Sequence, residues 1–307
     1  MTNILITGGS GLIGQHLTRA LQRDAHTVRW LSRTQGEKGD VKVFSWNIAR
    51  GEVDGRALEG VDHIVHLSGA GIADKRWTKA RLHELLESRA DAARLLLRKA
   101  KEIGCVPKSF VSASGAGFYG AITSDHIFSE EDPAASDTIG QLTKAWEDGV
   151  DEWDMTTIPS GGRVRVVKLR TPMVIAKNGG ALPRLAAPAR WGLAAAFGGG
   201  KQWMPWVHID DLVRVYQQAI TDERMRGAFN VCATEQPTNE EFMRAVAKAL
   251  RKPFFLPNIP AFALRIALGE LSHVILDGSR TSGQKLLETG FRFRHDVLRD
   301  ALAEALQ

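Results

Sequence analysis

The stretch Ile4-Leu5-Ile6-Thr7-Gly8-Gly9-Ser10-Gly11-Leu12-Ile13-Gly14 decides how this chain is read: an apolar run breaks into glycines and resumes as a helical pattern. It predicts strand, tight loop, helix. Gly8 lets the chain turn at the strand end, Gly11 leaves room for a pyrophosphate to approach the backbone, and Gly14 lets the helix pack closely on the strand. The free amides at the helix start then face the phosphates. A glycine triplet by itself also fits an ordinary strand-to-helix turn, so the surroundings have to decide. The helix from Leu12 to Gln22 carries apolar Ile13, Leu17 and Leu21, and a second strand, His26 to Leu31, follows. That is the βαβ opening of a dinucleotide-binding fold.

The end of the second strand, Trp30-Leu31-Ser32-Arg33, falls where such folds read the adenosine ribose. An Asp or Glu there would accept from a free 2′-hydroxyl, whereas Ser32 and Arg33 offer donors that suit a 2′-phosphate. The expected cofactor is therefore NADP. The plainer alternative is a surface arginine that happens to follow a strand, but no acid competes before Glu37.

Further strands are expected at Val41 to Trp46, Val61 to Leu67, Ser109 to Ala113 and Val164 to Leu169, alternating with helices. This pattern predicts an α/β fold with a doubly wound parallel sheet. His63 and His66 lie three apart on a strand, point to opposite faces, and are expected to be structural rather than a metal pair. No metal site is expected. One long helix is predicted from Thr78 to Ile103, its stripe interrupted by Glu84, Ser88 and Arg89. Arg89 there is either a ligand contact or an ion-pair partner of Glu84. A polar and aromatic loop, Asp74-Lys75-Arg76-Trp77, precedes that helix at the carboxyl edge of the sheet, where α/β folds bind ligands. It suits an anionic substrate, or else forms a salt-bridged loop capped by Trp77.

Beyond Lys177 glycine and proline become frequent, which marks a change of domain. Residues 1–177 are expected to form the NADP-binding domain, with 206–232 returning to it, and 178–307 mainly a substrate lobe. Thr238-Asn239-Glu240-Glu241 has the form of a capping box opening a helix to Arg251.

Composition narrows the function classes. The chain has 307 residues, 44% of them hydrophobic and 24% charged, with a net charge of +5, as in an ordinary soluble globular protein. Its lysines and arginines alternate with acids, so an anionic small ligand accounts for the excess without nucleic acid. Cys105 and Cys232 stand far apart and form no ligand or disulfide spacing. No apolar run approaches membrane-spanning length, and the first strand begins without a leader-like segment. A cytoplasmic location, no membrane and no nucleic-acid partner are the expectations.

Taken together, GGSGLIG, LSR, SGAGIADKRW, SASGAGFYG, GGGKQWMPWVHIDDL and GFRFRHDVLRDAL resemble the epimerase-like members of the extended or atypical short-chain dehydrogenase/reductases, often called nucleoside-diphosphate-sugar epimerases. The resemblance spans essentially the whole chain. It implies a Rossmann domain of seven strands, a small carboxyl-terminal substrate lobe, and NADP(H). By position, it implies that Gly8, Gly11, Leu12, Ile13 and Gly14 bind the pyrophosphate and that Ser32 and Arg33 take the 2′-phosphate. Leu67, Ser68 and Gly69 then line the adenosine side, with Glu84 and Arg89 on the long helix, and Val174 lies near the nicotinamide. Asp74 to Trp77, with Gln202 and Trp203, are the candidate substrate residues.

The catalytic pattern departs from the family. Active relatives pair a Tyr with a Lys four residues later, beside a Ser or Thr. Here Lys144 follows Gly140 rather than a tyrosine, and Gly115 stands where the hydroxyl belongs, next to Ser114. The candidates left are Tyr119, Ser114 and Lys144. Two readings follow: an NADP(H)-dependent oxidoreductase or epimerase acting on an anionic, sugar-like substrate, or a binding module that senses NADP(H).

Overall fold

The computed structural model describes all of residues 1–307. In chain order the strands are β1 (Asn3–Thr7), β2 (Thr27–Ser32), β3 (Gly36–Lys38), β4 (Val41–Asn47), β5 (Glu52–Val53), β6 (His63–His66), β7 (Ser109–Gly115), β8 (Ile127–Phe128), β9 (Arg165–Thr171), β10 (Met173–Ile175), β11 (Trp206–His208), β12 (Gly227–Asn230) and β13 (Arg280–Thr281). The main sheet runs β12-β9-β7-β6-β1-β2-β4, all parallel, and short antiparallel β3 and β5 finish the β4 side. A parallel sheet must be covered on both faces, which is why Ile4, Leu5 and Ile6 in β1 are all fully buried. On one face α1 (Leu12–Arg23) packs beside the later helix Ile209–Thr221, over Ile4, Ile6, Leu17 and Leu21. The other face buries Leu5, Ile64 and Phe110 against the segments around Leu96 and Trp153.

The strand order reverses at β1, with β2 on one side and β6 on the other. That reversal opens a crevice outside the carboxyl ends of β1 and β6, the place where such sheets bind ligands.

The helix predicted over Thr78 to Ile103 is not continuous. It divides into α2 (Lys79–Leu86), a π-helical turn (Glu87–Asp91) and α3 (Ala92–Glu102). The widened turn packs on α4 (Thr138–Asp151): a Cβ on Gly149 would lie 3.1 Å from both Cα and Cβ of Ala90, so glycine gives the helices room for this close approach. Such turns insert one extra residue and often serve sites. Here the turn turns Arg89 inward and buries it.

Beyond the sheet, α5 (Leu182–Arg190), α7 (Asn239–Ala249) and the final helix Leu298–Leu306 enclose a smaller core with Trp206, Phe242 and Leu302. The capping box forms as read, Thr238 and Glu241 each accepting the other's backbone amide. α6 (Ile209–Thr221) lies on α1, and β12 pairs with β9 at the sheet edge.

Candidate functional site

The phosphate-type loop follows from three close approaches. Gly8 has φ +69°, and a Cβ there would lie 2.8 Å from the Leu67 carbonyl oxygen. A Cβ on Gly14 would lie 2.5 Å from the Gly8 oxygen and 2.6 Å from Gly9 Cα, so helix and loop touch backbone to backbone. Gly9 went unnoticed in the sequence pattern; its Cβ would sit 2.5 Å from the Trp30 indole, whose Nε1 donates to Thr18 Oγ1 at 2.9 Å. Only an aromatic brought over from β2 gives Gly9 this constraint. The cap of α1 is Gly11, which supplies no side-chain acceptor, and the amides of Leu12, Ile13 and Gly14 have no acceptor in the chain. Three free amides at a helix start form an anion site.

The facing wall is the loop after β6. The Thr7 hydroxyl accepts the amides of Leu67 (3.2 Å) and Ser68 (3.1 Å) and meets His66 Nδ1 at 2.9 Å. Having two donors already, Thr7 spends its own proton on Nδ1. The His66 proton therefore sits on Nε2, which donates to the Arg89 carbonyl at 3.2 Å. Burial holds this imidazole neutral, its pKa lowered to about 4. His63 pairs with Ser109 Oγ at 2.8 Å on the other side of the strand. Both histidines are structural.

Arg89 is only 7% exposed, yet no carboxylate meets it. Its Nη2 donates to the Ala70 carbonyl (2.8 Å), its Nη1 to Leu85 O (3.2 Å), and its Nε is buried without an acceptor. The guanidinium carbon lies 5.0 Å from the Trp146 ring, and a Cβ on Gly69 would lie 2.8 Å from it. Burial, then the charge of Arg81, pulls its pKa down to about 10. The alternative of an Arg89 to Glu84 ion pair is overturned: Glu84 pairs with Arg81 at 2.6 Å and is half exposed. At the other end of the crevice, Ser32 lies in register with Ser45, and Arg33 is exposed with no acidic partner. Val174 on β10 and the turn at Gly179 and Gly180 come over Leu12, the Gly180 Cβ position being 3.4 Å from Leu12 Cδ2 and from the Val174 oxygen.

The catalytic candidates are corrected by their surroundings. Tyr119 is fully buried, and its hydroxyl accepts from Arg170 Nη1 (2.7 Å) while donating to Asn230 Oδ1 (2.8 Å). Burial, only partly opposed by Arg170, raises it to about 12, so it neither meets a substrate nor ionises near neutrality. Ser114 donates to Glu147 Oε1 at 2.6 Å. Arg170 holds the same carboxylate through Nε and Nη2, both at 2.9 Å. Burial alone would raise the Glu147 pKa, but the Arg170 bonds and charge, Lys168 and Ser114 bring it below the usual value. Lys144 is not part of this group: it points to solvent and pairs with Asp148 at 2.6 Å. The inward positions are one residue earlier. A Cβ on Gly117 would lie 2.8 Å from Ile139 Cδ1 and 3.5 Å from Thr143 Oγ1, so Ile139 and Thr143, four apart, face the loop after β7. The register of the amphipathic α4 fixes this, and neither residue is an acid or a base at neutral pH.

The substrate candidates divide. Asp74 pairs with Arg184 at 3.3 Å, Trp77 Nε1 donates to Ile72 O at 3.0 Å, and Lys75 and Arg76 are exposed without carboxylate partners. Gln202 is buried, its amide donating to Phe197 O (3.1 Å) and Ile275 O (2.9 Å), so it ties segments together rather than facing a ligand. Trp203 Nε1 donates to Ser124 O at 2.9 Å beneath the Arg280 guanidinium. His208, Asp210, His295 and Glu304 also gather within 4.8 Å of one another. His208 Nδ1, however, accepts the Asp210 amide at 3.3 Å as the cap of α6, which leaves the proton on Nε2 and no lone pair facing Glu304.

Comparison with known proteins places these features in context. The model of the NAD dependent epimerase/dehydratase family matches residues 4–232, and that of a domain of unknown function, DUF1731, matches 259–305. An epimerase family protein of Mycobacterium leprae is 33% identical over 98% of this chain and 95% of its own. The crystal structure of human epimerase family protein SDR39U1 with NADPH superposes with a TM-score of 0.86 at 28% identity, covering 99% of both chains. A nucleoside-diphosphate sugar epimerase from Corynebacterium glutamicum gives 0.78 at 27% identity, covering 99% of this chain and 58% of that one.

Proposed function

The chain belongs to the NAD dependent epimerase/dehydratase family, and from that premise we propose that it holds NADP(H) along the crevice at β1 and β6 and turns the nicotinamide end toward a small anionic molecule. The observation that carries this reading is Arg89: a buried guanidinium with no carboxylate and an orphaned Nε, beside three free helix amides. A charge buried without a counter-ion is costly, and an anionic cofactor would remove the cost. The solved human relative with NADPH supports the same reading.

Gly8, Gly11 and Gly14, with the amides of Leu12 and Ile13, would hold the pyrophosphate. Ser32 and Arg33 would take the 2′-phosphate, Leu67 to Gly69 would line the adenosine side, and Val174 the nicotinamide end. Glu84, by fixing Arg81, supports the same wall. NADP(H), when bound, supplies or takes up a hydride. Protons have to come from water, because Ile139 and Thr143 occupy the inward face of α4 and Tyr119 is enclosed. General acid-base groups contribute roughly 100- to 10,000-fold, so turnover is expected to be slow by about that factor.

Ile139 also favours a second reading, an NADP(H)-sensing module without turnover. Incubating a stoichiometric amount of protein and NADPH with a panel of carbonyl compounds separates the two: consumption of NADPH supports the enzyme, and none over hours supports the sensor. Cofactor choice is tested by titrating NAD and NADP into wild type and Arg33→Ala. A loss of about tenfold in NADP affinity with NAD unchanged is expected, since a hydrogen bond to a charged group contributes about 1.5–3 kcal/mol and exposure places Arg33 at the lower end. Equal weakening of both would reassign Arg33 to supporting the loop.

A further inference from the structure

The least expected surface of the molecule is the helix α8 (Ala261–Leu268, Ala-Phe-Ala-Leu-Arg-Ile-Ala-Leu), which is apolar at every position but Arg265 and buries none of its residues. A helix apolar all round normally lies in a core. Here Phe262 is 66% and Ile266 74% exposed, and Phe255, Ile259 and Val274 nearby are exposed as well. Contiguous apolar exposure of this kind marks a binding surface.

Its place in the fold says what it binds. The Arg76 guanidinium donates to the Ile266 carbonyl at 3.5 Å and lies 3.1 Å from a Cβ position on Gly269, so the end of α8 meets the Asp74 to Trp77 loop. At its start, Ile259 pairs with the 196–198 segment, its carbonyl accepting the Gly198 amide and its amide donating to Ala196 O, both at 2.8 Å. Leu276, eight residues past the end of α8, packs on Gly198, and the carbonyl of Ile275 accepts from Gln202. The segment therefore bridges the Asp74 to Trp77 loop and the segment held by Gln202. The cations around it, Lys75, Arg76 and Arg265, form no ion pair; of the acids near them, Asp74 pairs with Arg184 and Glu84 with Arg81, which leaves Glu270.

We propose that the substrate is an amphipathic anion, a carboxylate-type head carried on an acyl or aromatic body, with the body packed on Phe262 and Ile266 and the head on the Lys75 and Arg76 side. This rests on the proposed substrate-facing crevice and gives its ligand a class. A sugar nucleotide, polar along its whole length, would leave this apolar wall in water. The contact of α8 with the Asp74 to Trp77 loop and the unpaired cations argue for a small anion over a second copy of the chain or a lipid surface.

The experiment uses full-length protein saturated with NADPH and titrates dodecanoate (below its micelle concentration), naphthoate, dodecanol and UDP-glucose by calorimetry. Dodecanoate or naphthoate is expected to bind more tightly than dodecanol or UDP-glucose. The double variant Phe262→Ser, Ile266→Ser should weaken the anion about tenfold or more while NADPH affinity stays unchanged. Arg76→Ala should lower the preference for dodecanoate over dodecanol. UDP-glucose binding tighter than either anion, or unchanged anion affinity in the double variant, overturns the proposal. So does a dimer, or adsorption to anionic vesicles, that the same double variant abolishes while the anions fail to bind. Failure of NADPH itself to bind wild type would instead remove the cofactor reading, and the two failures are thus distinguished.

Discussion

Two buried arginines that meet neighbouring residues of α4, Trp146 and Glu147, have opposite surroundings. Arg170, 4% exposed, is clamped by the Glu147 carboxylate through two 2.9 Å bonds and by the Tyr119 hydroxyl, and Glu147 raises its pKa against the pull of burial. Arg89, 7% exposed, holds only carbonyl oxygens and a serine hydroxyl, and burial lowers its pKa to about 10. The first is a completed pair that fixes β7, α4 and β9 together. The second is a buried charge without a counter-ion, the one proposed to meet the cofactor. Burial without a carboxylate does not by itself mark a binding arginine, since Arg165 is buried and donates only to the carbonyls of Ala219, Ile220 and Met225. What sets Arg89 apart is that it also has an Nε without an acceptor.

The largest effect is expected from Arg170→Met. Removing one partner strands Glu147 in the interior, which typically costs about 3–5 kcal/mol. Urea unfolding of the cofactor-free protein should show it, and a change below about 1 kcal/mol would mean that the pair is not the clamp described.

Second is the acid side of His66, which links Thr7 to the carbonyl of Arg89. Its folded pKa is about 4 against 6.5, so the unfolded chain binds the extra proton first. Stability is therefore full above pH 6.5 and falls as the pH drops toward 4, by about 3 kcal/mol at most. His66→Asn should remove about half of the fall in that window, the rest belonging to His63, whose pKa burial also lowers to about 4. A wild-type stability constant from pH 7 to 4.5 would remove the neutral-histidine account.

Arg89→Met sharpens the contrast most directly. Without cofactor the variant should be as stable as wild type or more so, because a buried unpaired charge is removed. Its NADP affinity should fall roughly 10- to 150-fold, the range of one charged hydrogen bond. Loss of stability with affinity intact would exchange the roles of the two arginines.

The smallest effect belongs to Lys144→Ala. An exposed i,i+4 pair with Asp148 contributes about 0.3–0.5 kcal/mol, so stability, NADP affinity and NADPH consumption should all remain near wild type. A large loss of NADPH consumption would return Lys144 to the chemistry.

Much of the fold was legible because it rests on local rules. Periodicity gave the alternating strands and helices, the glycine spacing gave the loop, and the capping box at Thr238 and Glu241 formed as read. The helix over Thr78 to Ile103 was misread as continuous, since a π turn keeps nearly the same apolar stripe and its Ala90 packs on Gly149 from another helix. Lys144 was chosen by counting along the chain, whereas α4 turns Thr143 and Ile139 inward. Gly9 escaped notice because its constraint comes from Trp30 on the next strand.

The amino-acid sequence by itself determined that a glycine loop joins β1 to α1 and that no carboxylate stands at the end of β2, because both are facts of residue type and short spacing. Only the tertiary structure decided which charges are paired. Glu84 lies five residues before Arg89 yet meets Arg81, while Glu147 reaches Arg170 from a different element. Ion pairing is settled by side-chain direction and by the surrounding burial, and neither exists until the helices have packed on the sheet.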